Sequence, residues 1–127
     1  METEGKTLKH DEIEPGVLGL FKKPEYGFYI VAEADGKVMG SLMITFEWSD
    51  WRNGVIWWIQ SVYVIPEYRR NGVYRAMYKN IKNMAGENPD VCGFRLYVEK
   101  ANIAAQKTYA ALGMKETQYK MFEDVDF

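Results

Sequence analysis

One cysteine and one histidine are all the soft metal-ligating chemistry the chain has. Cys92 has no partner for an internal disulfide, which fits a reducing, cytoplasmic setting. His10 stands in a polar N-terminal stretch far from Cys92 in sequence. The pair supplies neither a usual zinc ligand set nor a Cys–His catalytic couple. No metal is expected; His10 reads as a surface residue and Cys92 as a small buried residue beside a strand. No apolar run approaches the roughly 20 residues of a membrane helix. Met1-Glu2-Thr3-Glu4-Gly5 lacks the basic and apolar regions of a signal peptide. Neither sign of charge dominates: 16 basic against 18 acidic residues give a net charge of −2, which argues against a nucleic-acid binder. Repeats and low-complexity tracts are also lacking. What is there is a chain of 127 residues, 47% hydrophobic and 15% aromatic, which predicts one domain over residues 1–127.

The strand and helix periods divide the chain. A short helix is expected from Asp11 to Phe21, with Pro15 in its first turn. Phe28-Tyr29-Ile30-Val31-Ala32 is rich in strand formers, and Asp35-Gly36 follows as a tight-hairpin signal. Val38 to Phe46 should return antiparallel. A second turn spans Ser49 to Gly54, and Ile56 to Val64 forms a third strand, apolar on both faces and therefore central. From Val73 the period becomes 3.6, with Val73, Ala76, Met77, Ile81 and Met84 on one helical face. Phe94, Leu96 and Val98 alternate with polar residues as another strand. Asn102 can cap a following helix and Gly113 can close it. Residues from about Glu116 to Phe122 read as a last strand. The fold class is α/β (α+β): a mixed, mostly antiparallel sheet flanked by helices, with one parallel crossover.

The loop Glu67-Tyr68-Arg69-Arg70-Asn71-Gly72 precedes a helix. Helix N-termini expose unpaired N–H groups and partial positive charge, so they bind phosphate. Gly72 would admit a phosphate close to the backbone, and Arg69, Arg70 and Arg75 add charge. The plainer reading is that the arginines are solvated and Gly72 merely eases the turn.

The run from Gln60 to Ala76, with its Val-Ile-Pro strand end, Arg69 and Gly72, resembles motif A of the GNAT (Gcn5-related N-acetyltransferase) superfamily. Tyr74 stands where the family usually has a third small residue, so its side chain must turn away from the ligand. A second stretch, Asn102-Ile103-Ala104-Ala105-Gln106-Lys107-Thr108-Tyr109-Ala110-Ala111-Leu112-Gly113-Met114, looks like the family's Asn-x-x-Ala-x-x-x-Tyr-x-x-x-Gly motif. The likeness covers roughly residues 27–122.

The resemblance implies a fold, a cosubstrate and roles. The central strand splays from its parallel neighbour and acetyl-CoA wedges between them. Backbone groups of Val62, Tyr63 and Val64 would hold the pantetheine arm, and an N–H there would polarise the thioester carbonyl. Amides of Arg69, Arg70, Asn71, Gly72, Val73, Tyr74 and Arg75 would bind the pyrophosphate. Asn102 would contact the cosubstrate, its plainer role being the helix cap. Tyr109 would protonate the leaving thiolate; without the likeness it reads as a core aromatic on the face of Ala105 and Leu112.

Deprotonating the acceptor is the open point. An alkyl amine of pKa about 10.4 is only roughly 0.04% unprotonated at pH 7. Many family members carry a carboxylate near Gln60, and glutamine cannot take that proton. Gln60 could instead orient a water or the substrate. Glu47, Asp50 and Glu99 are the nearest carboxylates in sequence, with Glu47 ranked first. All four tryptophans fall between Trp48 and Trp58. They read either as core and interface residues or, for Trp48 and Trp51 with Asp50, as an aromatic wall for the acceptor.

The family's usual first strand is expected to be missing, since the residues before Gly27 show no convincing strand. An edge left open in that way makes a homodimer an option. The expected activity is acetyl transfer to a primary amine of a small molecule or peptide, with neither nucleic acid nor membrane as partner. The competing readings are a non-catalytic acyl-CoA-binding regulatory module and a structural dimer domain.

Overall fold

A computed structural model of the chain describes residues 19–126, together with the backbone of residues 2–3 and 6–7. The chain divides into two compact units, Met1–Tyr97 and Val98–Phe127.

The first unit is built on a four-stranded sheet. Its strands are β3 (Gly27–Ala34), β4 (Lys37–Ser49), β5 (Gly54–Val64) and β6 (Val91–Arg95), in that spatial order. β3, β4 and β5 run antiparallel and β6 pairs parallel to β5. Two-residue strands β1 (Glu2–Thr3) and β2 (Lys6–Thr7) form a separate antiparallel ladder, a feature the sequence did not announce. Helix α1 (Val73–Gly86) makes the crossover from β5 to β6. The expected helix from Asp11 to Phe21 falls mostly outside the described residues, as does His10; residues 19–21 are helical.

The turns follow the signals that predict them. Asp35 and Gly36 both adopt positive φ, at 53° and 75°, as the two-residue hairpin between β3 and β4 requires. Asn53, at φ 49°, closes the turn into β5. With β4 on one side and β6 on the other, β5 is an interior strand, as its two apolar faces demand.

The core lies between the sheet and α1. Leu42 and Ile44 of β4, Trp57 and Ile59 of β5, and Val73, Met77 and Ile81 of α1 are all buried. Gly40 marks the closest approach. A Cβ there would stand 2.8 Å from the Tyr63 carbonyl oxygen and 3.2 Å from Val73 Cγ1, so only glycine lets the helix seat. The buried face of α1 differs from the expected one. Ala76 and Met84 are exposed, and Tyr78 is buried instead. Its ring meets Phe94 of β6 at 6.0 Å, and Phe94 meets Trp57 at 6.0 Å. An aromatic ring of that size reaches the core from a position where the 3.6 period places a flank.

The second unit carries α2 (Ile103–Ala111). Asn102 Oδ1 accepts from the Ala105 amide at 3.1 Å. At the other end Gly113 has φ 95°, with Gly113 N–H donating to Ala110 and Met114 N–H to Tyr109. Both ends match their signals. The expected strand from Glu116 to Phe122 does not form. That segment has no ladder partner among the described residues, and Tyr119 and Phe122 are 80% and 93% exposed. Alternation alone does not make a strand when no edge bonds to it. Cys92 also departs from expectation. It is exposed, because it sits on β6 at the end of the four-strand ladder, where its Sγ lies 3.6 Å from the Val55 carbonyl oxygen.

Candidate active site

The C-terminal half of β5 is where regular sheet stops. β5 and β6 pair from Val55↔Val91 to Trp58↔Arg95, and no further. The strand expected around Phe94 to Val98 is therefore Val91–Arg95, three residues earlier. From Ile59 to Val64, β5 keeps β4 on one side, and no described strand pairs with its other side. In the same stretch the β4 register slips. Ser41 faces Tyr63 and Met43 faces Gln60, so Leu42 alone opposes Ser61 and Val62. Ser61 has φ 50°, a left-handed value uncommon outside glycine. This is a β-bulge, which bends the strand and turns backbone polar groups out of the ladder. Val62, Tyr63 and Val64, the expected pantetheine residues, follow it directly.

Beyond Val64 the chain forms a 3₁₀ turn, Pro66–Tyr68, and enters α1 through Gly72, whose φ is 79°. Arg70 is also left-handed, at φ 68°. The first α1 bond runs from the Ala76 amide to the Gly72 carbonyl at 3.0 Å. The amides of Val73, Tyr74 and Arg75 thus lie at the open, partially positive end of the helix. Arg69 does not extend toward solvent as a free charge. Its Nε donates to the Val64 carbonyl at 2.8 Å, and its guanidinium lies 5.6 Å over the Tyr63 ring. It ties the loop to the strand, while Arg70 and Arg75 are both exposed. The Tyr74 ring stacks along the helix on Tyr78 at 6.1 Å.

The sheet face away from α1 carries a polar cluster. Gln60 Nε2 donates to Thr45 Oγ1 at 2.6 Å. Glu47 accepts from Trp58 Nε1 at 2.7 Å and pairs with Arg95 at 3.2 Å. These three residues come from β4, β5 and β6, and Trp58 and Arg95 form the last rung of the parallel ladder. Trp58 also meets the Tyr97 ring at 6.0 Å. Thr45 and Arg95 were not singled out from sequence. Period-two spacing puts Thr45 on the face of Glu47, but which β6 residue would reach that face depends on a register that sequence does not display.

Three further candidates lie elsewhere in the first unit. Trp48, Asp50 and Trp51 are at the β4–β5 turn, beyond the opposite end of β5. Gly54 to Ser61 spans roughly 23 Å of extended strand. Trp57 is core. In the second unit, Tyr109 is half-buried on the α2 face of Ala105 and Leu112, and Glu99 is exposed, its carbonyl accepting from Gln106 Nε2 at 3.2 Å.

The acetyltransferase (GNAT) family profile matches residues 2–114. The chain belongs to that family. This GNAT chain is 46% identical to a "possible acetyltransferase" from Clostridium difficile 630, with a TM-score of 0.86, covering 98% of this chain and 82% of that one. An aminoglycoside 6'-N-acetyltransferase from Acinetobacter haemolyticus has the same fold at 15% identity, with a TM-score of 0.76, over 95% of this chain and 84% of that one. Another, bound to a CoA bisubstrate analogue, matches at 18% identity and a TM-score of 0.76, over 96% and 83%. No curated protein sequence matches. As a GNAT protein the chain is an acyltransferase by class. The family match begins at residue 2, well before the motifs that carry the likeness in sequence.

Proposed function

We propose that this GNAT protein moves the acetyl group of acetyl-CoA to a primary amine of a small molecule or peptide by direct attack in a ternary complex, with both units acting as one domain. The observation that carries the reading is the open side of β5 from Ile59 to Val64, bulged at Ser61 and leading into the left-handed Gly72 and the first turn of α1. An extended amide-bearing arm fits the backbone of Val62, Tyr63 and Val64 as an added strand. A diphosphate fits the helix end, with Arg70 and Arg75 beside it. Acetyl-CoA supplies an activated thioester; the chain supplies its orientation.

In this reading a backbone N–H at the bulge bonds the carbonyl oxygen as charge develops there. Gln60, its amide fixed by Thr45, turns its carbonyl toward the acceptor amine and an adjoining water, which carries the released proton to solvent. Glu47, engaged by Trp58 and Arg95, stays in that cluster rather than taking that proton. The Tyr109 hydroxyl protonates the departing thiolate, and Asn102 both caps α2 and contacts the cosubstrate. Trp58 and Tyr97 offer an aromatic surface suited to an amine on a ring or apolar body. Solved relatives named as aminoglycoside acetyltransferases support a small amine acceptor. The reading gives Trp48, Asp50 and Trp51 no part in transfer, because they lie at the far end of β5. The exposed thiol of Cys92 fits the reducing cytoplasm.

A non-catalytic acyl-CoA-binding module is the second reading, favoured by glutamine at position 60 and by the full engagement of Glu47. Calorimetry with acetyl-CoA tests binding, and CoA release with a panel of polyamines, amino acids and peptide N-termini tests turnover. Tyr109→Phe should lower kcat about 10²- to 10⁴-fold while leaving acetyl-CoA affinity unchanged. Binding without release for any amine would favour the module.

A further inference from the structure

The end of β5 opposite the bulge carries chemistry that acetyl transfer does not use. Trp51, in the β4–β5 turn, is 95% exposed, and Trp48 just before it is 61% exposed. Phe46 lies on the same strand face as Trp48, two residues back, and is also partly exposed. Single exposed apolar residues are ordinary, but aromatic groups continuous with a concavity mark contact surfaces. Phe46 is one wall of such a concavity. It is an open groove of about 640 Å³, with Phe28, Trp57 and Met84 as further walls and Glu87 and Asp90 at its rim.

Knob and groove carry opposite charge. Arg52 is exposed beside Trp51, and Glu87 and Asp90 are exposed at the groove. None of these three charges forms an ion pair among the described residues. They also emerge side by side, since the Val55 amide, just after the turn, donates to the Asp90 carbonyl at 2.8 Å. A knob beside its own groove is what a two-fold axis needs: each copy gives a knob and receives one.

We propose that two copies of this chain associate through this end, Trp51 of each seated against the partner's Phe46, Trp57 and Met84, with Arg52 facing the partner's Glu87 and Asp90. Tryptophan and arginine are the residues that most often dominate such contacts. The interface lies at the opposite end of β5 from the acetyl-CoA site and does not depend on the catalytic reading.

Sedimentation velocity of the full chain over a dilution series tests this. The expected result is a concentration-dependent dimer. Trp51→Ser should weaken it at least about 30-fold, and because the indole is almost wholly exposed the variant should keep its fold. Arg52→Glu should weaken the dimer too, and adding Glu87→Lys and Asp90→Lys to Arg52→Glu should restore it. A chain monomeric at every concentration overturns the proposal. So does a dimer that Trp51→Ser leaves intact, or one that the charge reversal fails to restore.

Discussion

The two ends of β5 use different materials. At the C-terminal end the distinguishing features are backbone ones: a register slip opposite Leu42, left-handed Ser61, Arg70 and Gly72, and an open helix terminus. At the N-terminal end they are side chains: Trp48, Trp51 and Arg52 on a hairpin, and a groove walled by aromatics. A nucleotide thioester with a diphosphate and a peptide-like arm is recognised well by amides, whose positions barely depend on side-chain identity. A protein surface is recognised by large rings and charges. One strand thus connects a proposed site specified by conformation with a proposed contact surface specified by composition.

The contrast can be broken by substitutions at the first end. The largest effect is expected from Leu42→Ala. Leu42 is wholly buried under the bulge, so truncation should cost about 2–5 kcal/mol of stability in urea unfolding. Gly72→Ala comes next. Its Cβ would meet nothing within 4 Å, so any loss comes from the φ of 79° alone. That strain is about 1–2 kcal/mol, and acetyl-CoA affinity by calorimetry should fall roughly 5- to 30-fold. Normal affinity would show that side chains, not loop conformation, hold the phosphates.

Smaller effects sharpen the picture. Arg95→Met removes the partner of a half-exposed Glu47, so the stability loss should stay below about 1 kcal/mol. A larger loss would mean the three-strand cluster carries the sheet. Last is alkaline pH. Burial raises the Tyr29 and Tyr78 phenols above their usual range. The folded state then holds these protons more tightly than the unfolded one. Their contribution is complete below about pH 10 and declines as pH rises through the raised values. Tyr78→Phe should flatten the fall in Tm as pH rises above about 10.

Local signals were readable in the sequence where one or two residues decide the geometry. Asp35-Gly36, Asn53-Gly54, Asn102 and Gly113 each set a turn or cap, and each stands where expected. The turn into α1 was legible for the same reason, through Gly72 and the helix period that follows. Non-local facts were not. The bulge at Ser61 has no glycine to announce it, because the slip arises from how β4 and β5 pair. The partners of Gln60, Glu47 and Arg69 depend on register and on where a chain turns back. The tail from Glu116 to Phe122 alternates like a strand, but whether it bonds to an edge is a matter of neighbours. Tyr78 entered the core from a flank because its ring is long enough to reach Phe94.

The cluster of Glu47, Trp58 and Arg95 has a consequence for hydrogen exchange. It bridges three strands at the last rung of the parallel ladder, where the β5–β6 pairing ends. Opening of β5 from β6 should therefore stop there rather than fray gradually. Amides up to Trp58 and Arg95 should exchange slowly, and those of β5 facing the open side beyond Ile59 should exchange quickly. Acetyl-CoA should slow only the second set. The boundary between the two would mark, in time rather than in space, where structural sheet gives way to the proposed binding site.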